Sequence, residues 1–432
     1  MSPTPVHELP IWKQLLQESV RIDDPKYHLK NLLNSPDRLA LFSMEGAGLF
    51  YDFSRQRMDT RILSGLIELA EIRGVRQRFA AMMKGEKINV TEQRAVLHTA
   101  ARSFSKEPLM LDGMNVTAGI DRVRKEIAAF SAKVRDGEIR GSTGKRFRDV
   151  VVIGIGGSYL GPEFVSTALE AEADGGIRLH YLANVDIHNF GRIAALIDPE
   201  ATLWVVISKS YTTAETTANE LQAKSFMTGK GLDFSKHVAT VTAKGSPGDD
   251  PANPVLAAFH MFDFIGGRYS VTSAVGGVPL SLYLGYPVFE RFLKGAEAMD
   301  QHTANAITEK NLPLLSALVS VWNNNFMEYA ARGIIPYASP LAKLAPHVQQ
   351  LNMESNGKSV TVDGQPVGLS TGPIIFGEPG TNAQHSFFQL AHQGRPFPID
   401  FIGVVKPQYP QYLNKSKGVT NHQELWANLI AQ

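Results

Sequence analysis

Cysteine is missing from all 432 residues, which excludes disulfides, thiolate nucleophiles and every cysteine-ligated metal site. A surplus of either charge is missing too, because 43 basic side chains face 42 acidic ones for a formal net charge of +1. Without a basic excess nucleic acid is not an expected partner, and without an acidic tail a disordered arm is not expected. Any anion-binding ability must then be built locally. Long apolar runs are lacking as well. No window approaches the ~18 apolar residues that a transmembrane helix needs. The opening stretch MSPTPVHELPIWKQLLQESV carries Glu8 and no sustained apolar core, unlike a signal peptide. A cytoplasmic protein with no membrane partner is the expectation, and the length predicts two or three domains.

The periodicity predicts amphipathic helices over residues 11–21, 26–42 and 59–73, with a short strand at 48–54 between the last two. A further helix is expected from Thr91, as a plausible N-cap, through TEQRAVLHTAARSF, and another over 118–136. His98, inside that apolar pattern, reads as a packed core histidine. The character changes at residue 148. Asp149-Val150-Val151-Val152-Ile153 is a continuous β-branched run, as in a strand covered on both faces. Strand-like runs recur at 178–184, 202–208 and 237–242, with helical patterns over 161–173, 186–197 and 213–228. That alternation predicts βαβ units and a parallel sheet, with ligands at the carboxyl ends of its strands. A helical stretch over 276–332 leads to a second alternation. Strands are expected at 333–338 and 397–405, an extended segment at 368–376, and helices at 384–393 and 422–432. Asp363-Gly364 reads as a hairpin turn.

The first of these strands delivers Gly154-Ile155-Gly156-Gly157-Ser158-Tyr159-Leu160-Gly161. Glycines between a strand and a helix let backbone N–H groups approach an anion, and the helix N-terminus adds its dipole. The dinucleotide fingerprint fails because Tyr159 stands at its third glycine, and no Gly-Lys-Ser/Thr completes a nucleotide phosphate loop. Either a small anion site with the Ser158 hydroxyl or a tight strand–helix turn remains. The third strand ends in Ser208-Lys209-Ser210-Tyr211-Thr212-Thr213-Ala214-Glu215-Thr216, where hydroxyls crowd a strand end before a helix. An N-cap explains one or two of them. Two hydroxyl-bearing strand ends in one sheet point to a single phosphomonoester pocket. Arg268, behind Gly266-Gly267, suits either a developing oxyanion or a structural ion pair.

The stretch Gln349–Lys358, QQLNMESNGK, holds the single carboxylate Glu354 among small polar residues. Upstream, residues 342–350 have helical periodicity interrupted by Pro346, and Asn356-Gly357 reads as a turn because both tolerate positive φ. Glu354 is thus expected near the end of an element, either as a solvated surface residue or as a base reaching a cleft. His385 follows the glycine-rich turn Gly377-Glu378-Pro379-Gly380, at an expected helix start whose dipole disfavours its charged form. His392 lies seven residues on.

Together GIGGSYLGP, SKSYTTAET, GGRYSVTSAVG, QQLNMESNGK and GTNAQHSFFQLAHQG, in this order, resemble the glucose-6-phosphate isomerase family, and GEKINVTEQRAVLH at 85–98 fits it too. The resemblance implies an α/β fold of two sugar-isomerase (SIS) type αβα domains with parallel-rich sheets, plus N-terminal wrapping helices. The divisions expected from it are 1–114 for the helical segment packing on the second domain, 115–285 for the first domain and 286–432 for the second. It implies interconversion of glucose 6-phosphate and fructose 6-phosphate through a cis-enediol, with no metal and no organic cofactor. Glu354 would move the proton between C1 and C2, Arg268 would stabilise the enediolate, and His385 would assist ring opening from the neighbouring subunit of a homodimer. Ser158, Ser208, Lys209, Ser210 and Thr213 would hold the phosphate, with Gly157 and Gln350 at the sugar. Family members continue past the helix beginning Asn421-His422-Gln423 into a segment whose lysine takes part in ring opening. No position here matches that lysine, and a chain shortened at its C-terminus is the expectation. Two other readings stay open: a phosphosugar-binding regulator of the same fold without turnover, and a nicotinamide-dependent oxidoreductase resting only on the glycines after the first strand.

Overall fold

The computed structural model describes residues 4–416 and 418–432, without the side chain of residue 416. An N-terminal layer comes first. Helix α1 (Pro10–Ile22) packs on α2 (Thr60–Ile72), and between them a hairpin of β1 (Ser43–Gly46) and β2 (Leu49–Asp52) turns through Ala47 and Gly48, both at positive φ. The helix predicted over 26–42 is broken into single turns at Pro25–Tyr27, Leu29–Leu32 and Arg38–Leu41. The first break is at His28, which is extended at ψ 142 and whose ring accepts from Lys30 N–H, and Pro36 accounts for the second, since it biases Ser35 away from helix and carries no N–H.

The segment from Thr91 is not a helix either. Asn89 and Arg94 form an isolated bridge, the Thr91 hydroxyl donates back to Asn89 Oδ1 at 2.9 Å, and Gln93 sits at φ 54. Leu97 N–H donates to the carbonyl of Phe264 at 2.9 Å. Pinning to a distant strand exit overrides the local periodicity here. His98 stays inside as expected, stacked on Tyr269 with ring centroids 5.0 Å apart. Burial, helped by the charge of Arg102, pushes its pKa down to about 4.

Helix α3 (Val116–Asp136) leads into a five-stranded, all-parallel sheet: β3 (Asp149–Ile153), β4 (Arg178–Leu182), β5 (Thr202–Ile207), β6 (Val238–Ala243) and β7 (Ala257–Met261), in spatial order β4-β3-β5-β6-β7. The sequence reading missed β7. The order reverses between β3 and β5, and the crevice outside their carboxyl ends is where such sheets bind ligands. Helices α4 (Leu160–Ala168), α5 (Ile187–Ala194) and α6 (Ala214–Thr228) make the crossovers. Side chains alternate between two covered faces. Val150, Val152, Leu203 and Val205 meet Val123, Ile127 and Phe130 of α3, whereas Val151, Ile153, Trp204 and Val206 meet Phe190, Ile193 and Met227. Helix α7 (Ala274–Leu284) is buried along nearly its whole length, which explains its lack of a polar face.

Helices α8 (Tyr286–Asn305) and α9 (Leu312–Val321) follow, and the N-terminal layer packs on α9: Ile11, Trp12, Leu15 and Leu66 share a core with Leu315, Leu318 and Phe326. The second sheet has three parallel strands, with β8 (Ala331–Tyr337) between β9 (Ile374–Phe376) and β10 (Ile399–Gly403). A short helix α10 (Leu344–Gln349), which takes Pro346 in its first turn where N–H groups need no partner, covers one face with Ala345 against Ile334 and Ile375. On the other face Phe388 of helix α11 (Phe388–Gln393) packs on Ile335 and Tyr337 beside the last helix, α12 (Asn421–Ala431). The hairpin turn at Asp363-Gly364 is present, with Gly364 at φ 77 inside a bridge from Val360 to Pro366. Among the described residues no helix is long and apolar enough to cross a membrane.

Candidate active site

Two loops leave the sheet side by side at the reversal point. After β3, Gly156 at φ 57 turns the chain so that Gly156–Ser158 forms a single tight turn before α4. Gly157 is required for a different reason. A Cβ on it would lie 2.2 Å from the carbonyl carbon of Gly267 and 2.6 Å from the amide nitrogen of Arg268, so the arginine loop runs against its Cα. After β5, the buried Ser208 hydroxyl accepts from Tyr211 N–H at 3.1 Å and lies 3.5 Å from Thr213 Oγ1, and Ser210 and Thr212 share a hydroxyl contact at 2.6 Å. Tyr211 itself is at φ 59, held there by its hydroxyl bond to Glu220 at 2.7 Å and its ring over Gly248. A non-glycine residue in that region is strained by about 1–3 kcal/mol, a cost that structure tolerates where a loop must be aimed. Thr213 precedes α6 and Tyr159 precedes α4 without a capping side-chain bond, which leaves the first N–H groups of both helices free to meet an anion. Lys209 adds the positive charge, its ammonium 3.1 Å from Asp263 Oδ1 at the exit of β7.

The other half of the site comes from the second sheet unit. Beyond α10 the chain widens into a π-helical turn, Gln350–Glu354, and such turns recur at functional sites. The carbonyl of Glu354, freed by that change of pitch, accepts from Lys358 Nζ at 2.6 Å. Gly357 is needed here, though not at positive φ: a Cβ would come within 2.5 Å of the Met353 carbonyl oxygen. The Glu354 carboxylate is half exposed and meets Arg268 Nη1 at 2.9 Å, and Arg268 Nε donates to Ser355 Oγ at 2.7 Å. The amide of Gln350 lies against Gly156, and its Oε1 is buried without a protein partner among the described residues.

Glu354, Arg268, Gln350 and Gly157 are thus brought together beside the β3 loop that carries Ser158, and the β5 loop with Ser208–Thr213 leaves the neighbouring strand. His385 is not among them. It closes the single turn Asn382–His385 beyond β9, three residues ahead of the six-residue helix α11, and is exposed with no bond to the Glu354–Arg268 pair among the described residues. Three contributors were missed in the sequence. Ser355 and Tyr269 look like turn and packing residues until Arg268 is seen between them, and Asp263 carries no signal except its place after a strand.

Hydroxyl-rich strand ends before helix starts, together with one carboxylate paired to one guanidinium, are groups that suit an α/β enzyme acting on a small phosphorylated molecule. A sequence profile described as phosphoglucose isomerase matches residues 52–432. The glucose-6-phosphate isomerase of Desulfosudis oleivorans is 64% identical over 429 residues, covering 98% of this chain and 79% of that protein. The cytosolic glucose-6-phosphate isomerase of Arabidopsis thaliana is 46% identical over 95% of this chain and 74% of its own length. A crystal structure of a glucose-6-phosphate isomerase from Chlamydia trachomatis superposes with a TM-score of 0.91 at 35% identity, over 99% of this chain and 81% of that one. The chain belongs to the phosphoglucose isomerase family. That membership removes the oxidoreductase reading and favours catalysis over a binding module without turnover.

Proposed function

We propose that this chain interconverts glucose 6-phosphate and fructose 6-phosphate, with Glu354 as the one base and Arg268 as the stabiliser of the charge it creates. An aldose–ketose isomerase activity is what family membership and 64% identity to a glucose-6-phosphate isomerase support. The observation that carries the assignment of roles is the 2.9 Å pair of Glu354 and Arg268, whose arginine loop runs against Gly157. On the open-chain aldose the Glu354 carboxylate removes the proton from C2. The C–H electron pair forms the C1–C2 double bond, and the carbonyl oxygen takes up negative charge as an enediolate beside the Arg268 guanidinium. When a proton returns to C1 from the same carboxylate, directly or after exchange with water, the O2 hydroxyl proton passes to O1 and the C2 carbonyl forms; this gives the ketose, so one carboxylate suffices.

The phosphate is proposed to sit on Ser158, Ser208, Lys209, Ser210, Thr213 and the free N–H groups of α4 and α6, with Lys209 exchanging Asp263 for the phosphate. Gln350, with its free Oε1, and Gly157 would contact the sugar. Ring opening requires a proton at the ring oxygen, and His385 is proposed to deliver it from the neighbouring subunit of a homodimer. Its exposed place away from the pair within one chain supports that reading. A division at residues 114 and 285 is proposed for the three structural parts, and cytoplasmic residence is proposed from the cytosolic relatives.

Proton exchange tests the assignment. The 432-residue chain is given fructose 6-phosphate in heavy water, and deuterium is expected at C2 of the glucose 6-phosphate formed. Glu354→Gln is expected to lose about 10²–10⁴-fold in turnover, as for removal of a general base. A Glu354→Gln variant that exchanged at the unaltered rate would overturn the role given to Glu354.

A further inference from the structure

Two dipeptides, Arg268-Tyr269 and Glu354-Ser355, interlock, and the Arg268 side chain is held at two points. Its Nη1 meets Glu354 Oε1 at 2.9 Å, and its Nε donates to Oγ of the next residue, Ser355, at 2.7 Å. The residue after Arg268, Tyr269, places its hydroxyl 3.0 Å from the same Ser355 Oγ. Behind Tyr269 the His98 ring stacks at 5.0 Å and 23°, fixed through the bond from Leu97 N–H to Phe264. A guanidinium donates only, so Ser355 must accept from Nε, which leaves its own proton free for the Tyr269 oxygen. All of this joins loops 87 residues apart in the chain.

The chemistry makes one demand that the ion pair alone does not meet. A carboxylate fully engaged by an arginine is a poor base, and an arginine fully engaged by a carboxylate cannot serve an enediolate. The guanidinium must therefore shift its terminal nitrogens from carboxylate to substrate while staying in register with both. A planar fork can do this if it is held at Nε and left free at Nη1 and Nη2. We propose that Ser355, backed by Tyr269, is a positioning residue that tethers Arg268 at Nε and leaves the two terminal nitrogens for Glu354 and the developing oxyanion to share. Because Ser355 follows Glu354 directly, base and tether move as one unit. The inference rests on the roles proposed above for Glu354 and Arg268.

Steady-state kinetics and proton exchange on Ser355→Ala, Ser355→Thr, Tyr269→Phe and Glu354→Gln test it. The tether acts on charge that exists only in the transition state, so Ser355→Ala should lower kcat while leaving KM for fructose 6-phosphate within about twofold. The expected loss is about 10- to 100-fold, the effect of removing one hydrogen bond to a charged group. Ser355→Thr, which keeps the hydroxyl, should restore most of it, and Tyr269→Phe should fall between. Unaltered kcat in Ser355→Ala with a silent Glu354→Gln would overturn the tether and leave the base assignment standing. Equal losses in Ser355→Ala and Ser355→Thr, tracking a drop in melting temperature, would reduce Ser355 to packing and also overturn it. Wild-type exchange in Glu354→Gln would instead remove the reading on which the tether rests.

Discussion

Replacing Gly157 by alanine tests the geometry of the site more sharply than removing any charged group. The added methyl would lie 2.2 Å from Gly267 C, 2.4 Å from Gly267 O and 2.6 Å from Arg268 N. All three are backbone atoms, so no side-chain rotation relieves the contact. Carbon atoms settle at about 3.5–4.0 Å, and the two loops must therefore part by about 1 Å or more. One loop carries the Gly156–Ser158 turn proposed to face the phosphate, the other carries Arg268. Misplacing a reacting group by about 1 Å can cost on the order of 10²-fold in rate, and overpacking of this kind destabilises by about 1–3 kcal/mol. Initial rates at saturating fructose 6-phosphate, with melting curves on the same samples, should show kcat down about 100-fold and a modest fall in melting temperature. Gly191→Ala is the control. It lies in α5 with nothing within 4 Å of its added methyl among the described residues, and should leave kcat unchanged. Wild-type kcat and melting temperature in Gly157→Ala would refute the claim that this close approach positions the arginine.

Lys209→Ala should raise KM for fructose 6-phosphate and the inhibition constant of inorganic phosphate together, by about 10- to 100-fold, with kcat changed little because the phosphate does not react. A fall in kcat at constant KM would move Lys209 from phosphate binding into the chemistry. Acid stability should report the buried histidines. Burial pushes His98 and His347 each down to about 4, so both are neutral in the fold, while in the unfolded chain they titrate near ~6.5. The unfolded chain then binds more protons between these values, and stability, complete above ~6.5, is lost as pH falls toward 4. Each histidine contributes at most ~1.4 kcal/mol per pH unit in that window. Denaturant midpoints at pH 7.5, 6.5 and 5.5 should decline, more gently for His347→Gln, and a flat profile would contradict the burial of both rings.

What the sequence revealed divides along a physical line. Val150–Ile153 and Leu203–Ile207 were legible as strands because both faces are buried, so every position is apolar. Ala257–Met261 was not. Its alanines and histidine carry little strand preference, and it forms the edge of the sheet through register with β6. The stretch from Thr91 was misread because its apolar residues face Phe264 and Tyr269 from an extended chain, so tertiary contact, not helical period, sets their spacing. Ser158 and the 208–213 hydroxyls stood out as strand-end groups because polar groups there have few structural uses, and they do follow β3 and β5. The partnership of Glu354 with Arg268 was not, since it crosses from one sheet unit to the other. Ser355 was hidden for the same reason, looking like half of a turn until its partner appears.

That crossing explains how the fold reaches its accuracy. Base and arginine arrive on different sheet units, so their separation is set by how the units dock, and the docking contacts lie beside the chemistry. Helix α4, which begins after the Gly156–Ser158 turn, meets α10, which ends at the π-helical turn carrying Glu354. Phe164 of α4 stacks on His347 of α10 at 5.5 Å, and Glu163 pairs with Lys343 at 3.0 Å. A Cβ on Gly161 would stand 3.3 Å from the His347 ring and 2.8 Å from Val271 of the arginine loop, so that one glycine lets three segments close together. The Lys343–Glu163 pair is half-buried, its lysine end in water and its carboxylate 17% exposed. Aromatic stacking, this pair and the close approach at Gly161 carry the alignment together, and through two short, stiff elements they set Glu354 against Arg268 across the two sheet units.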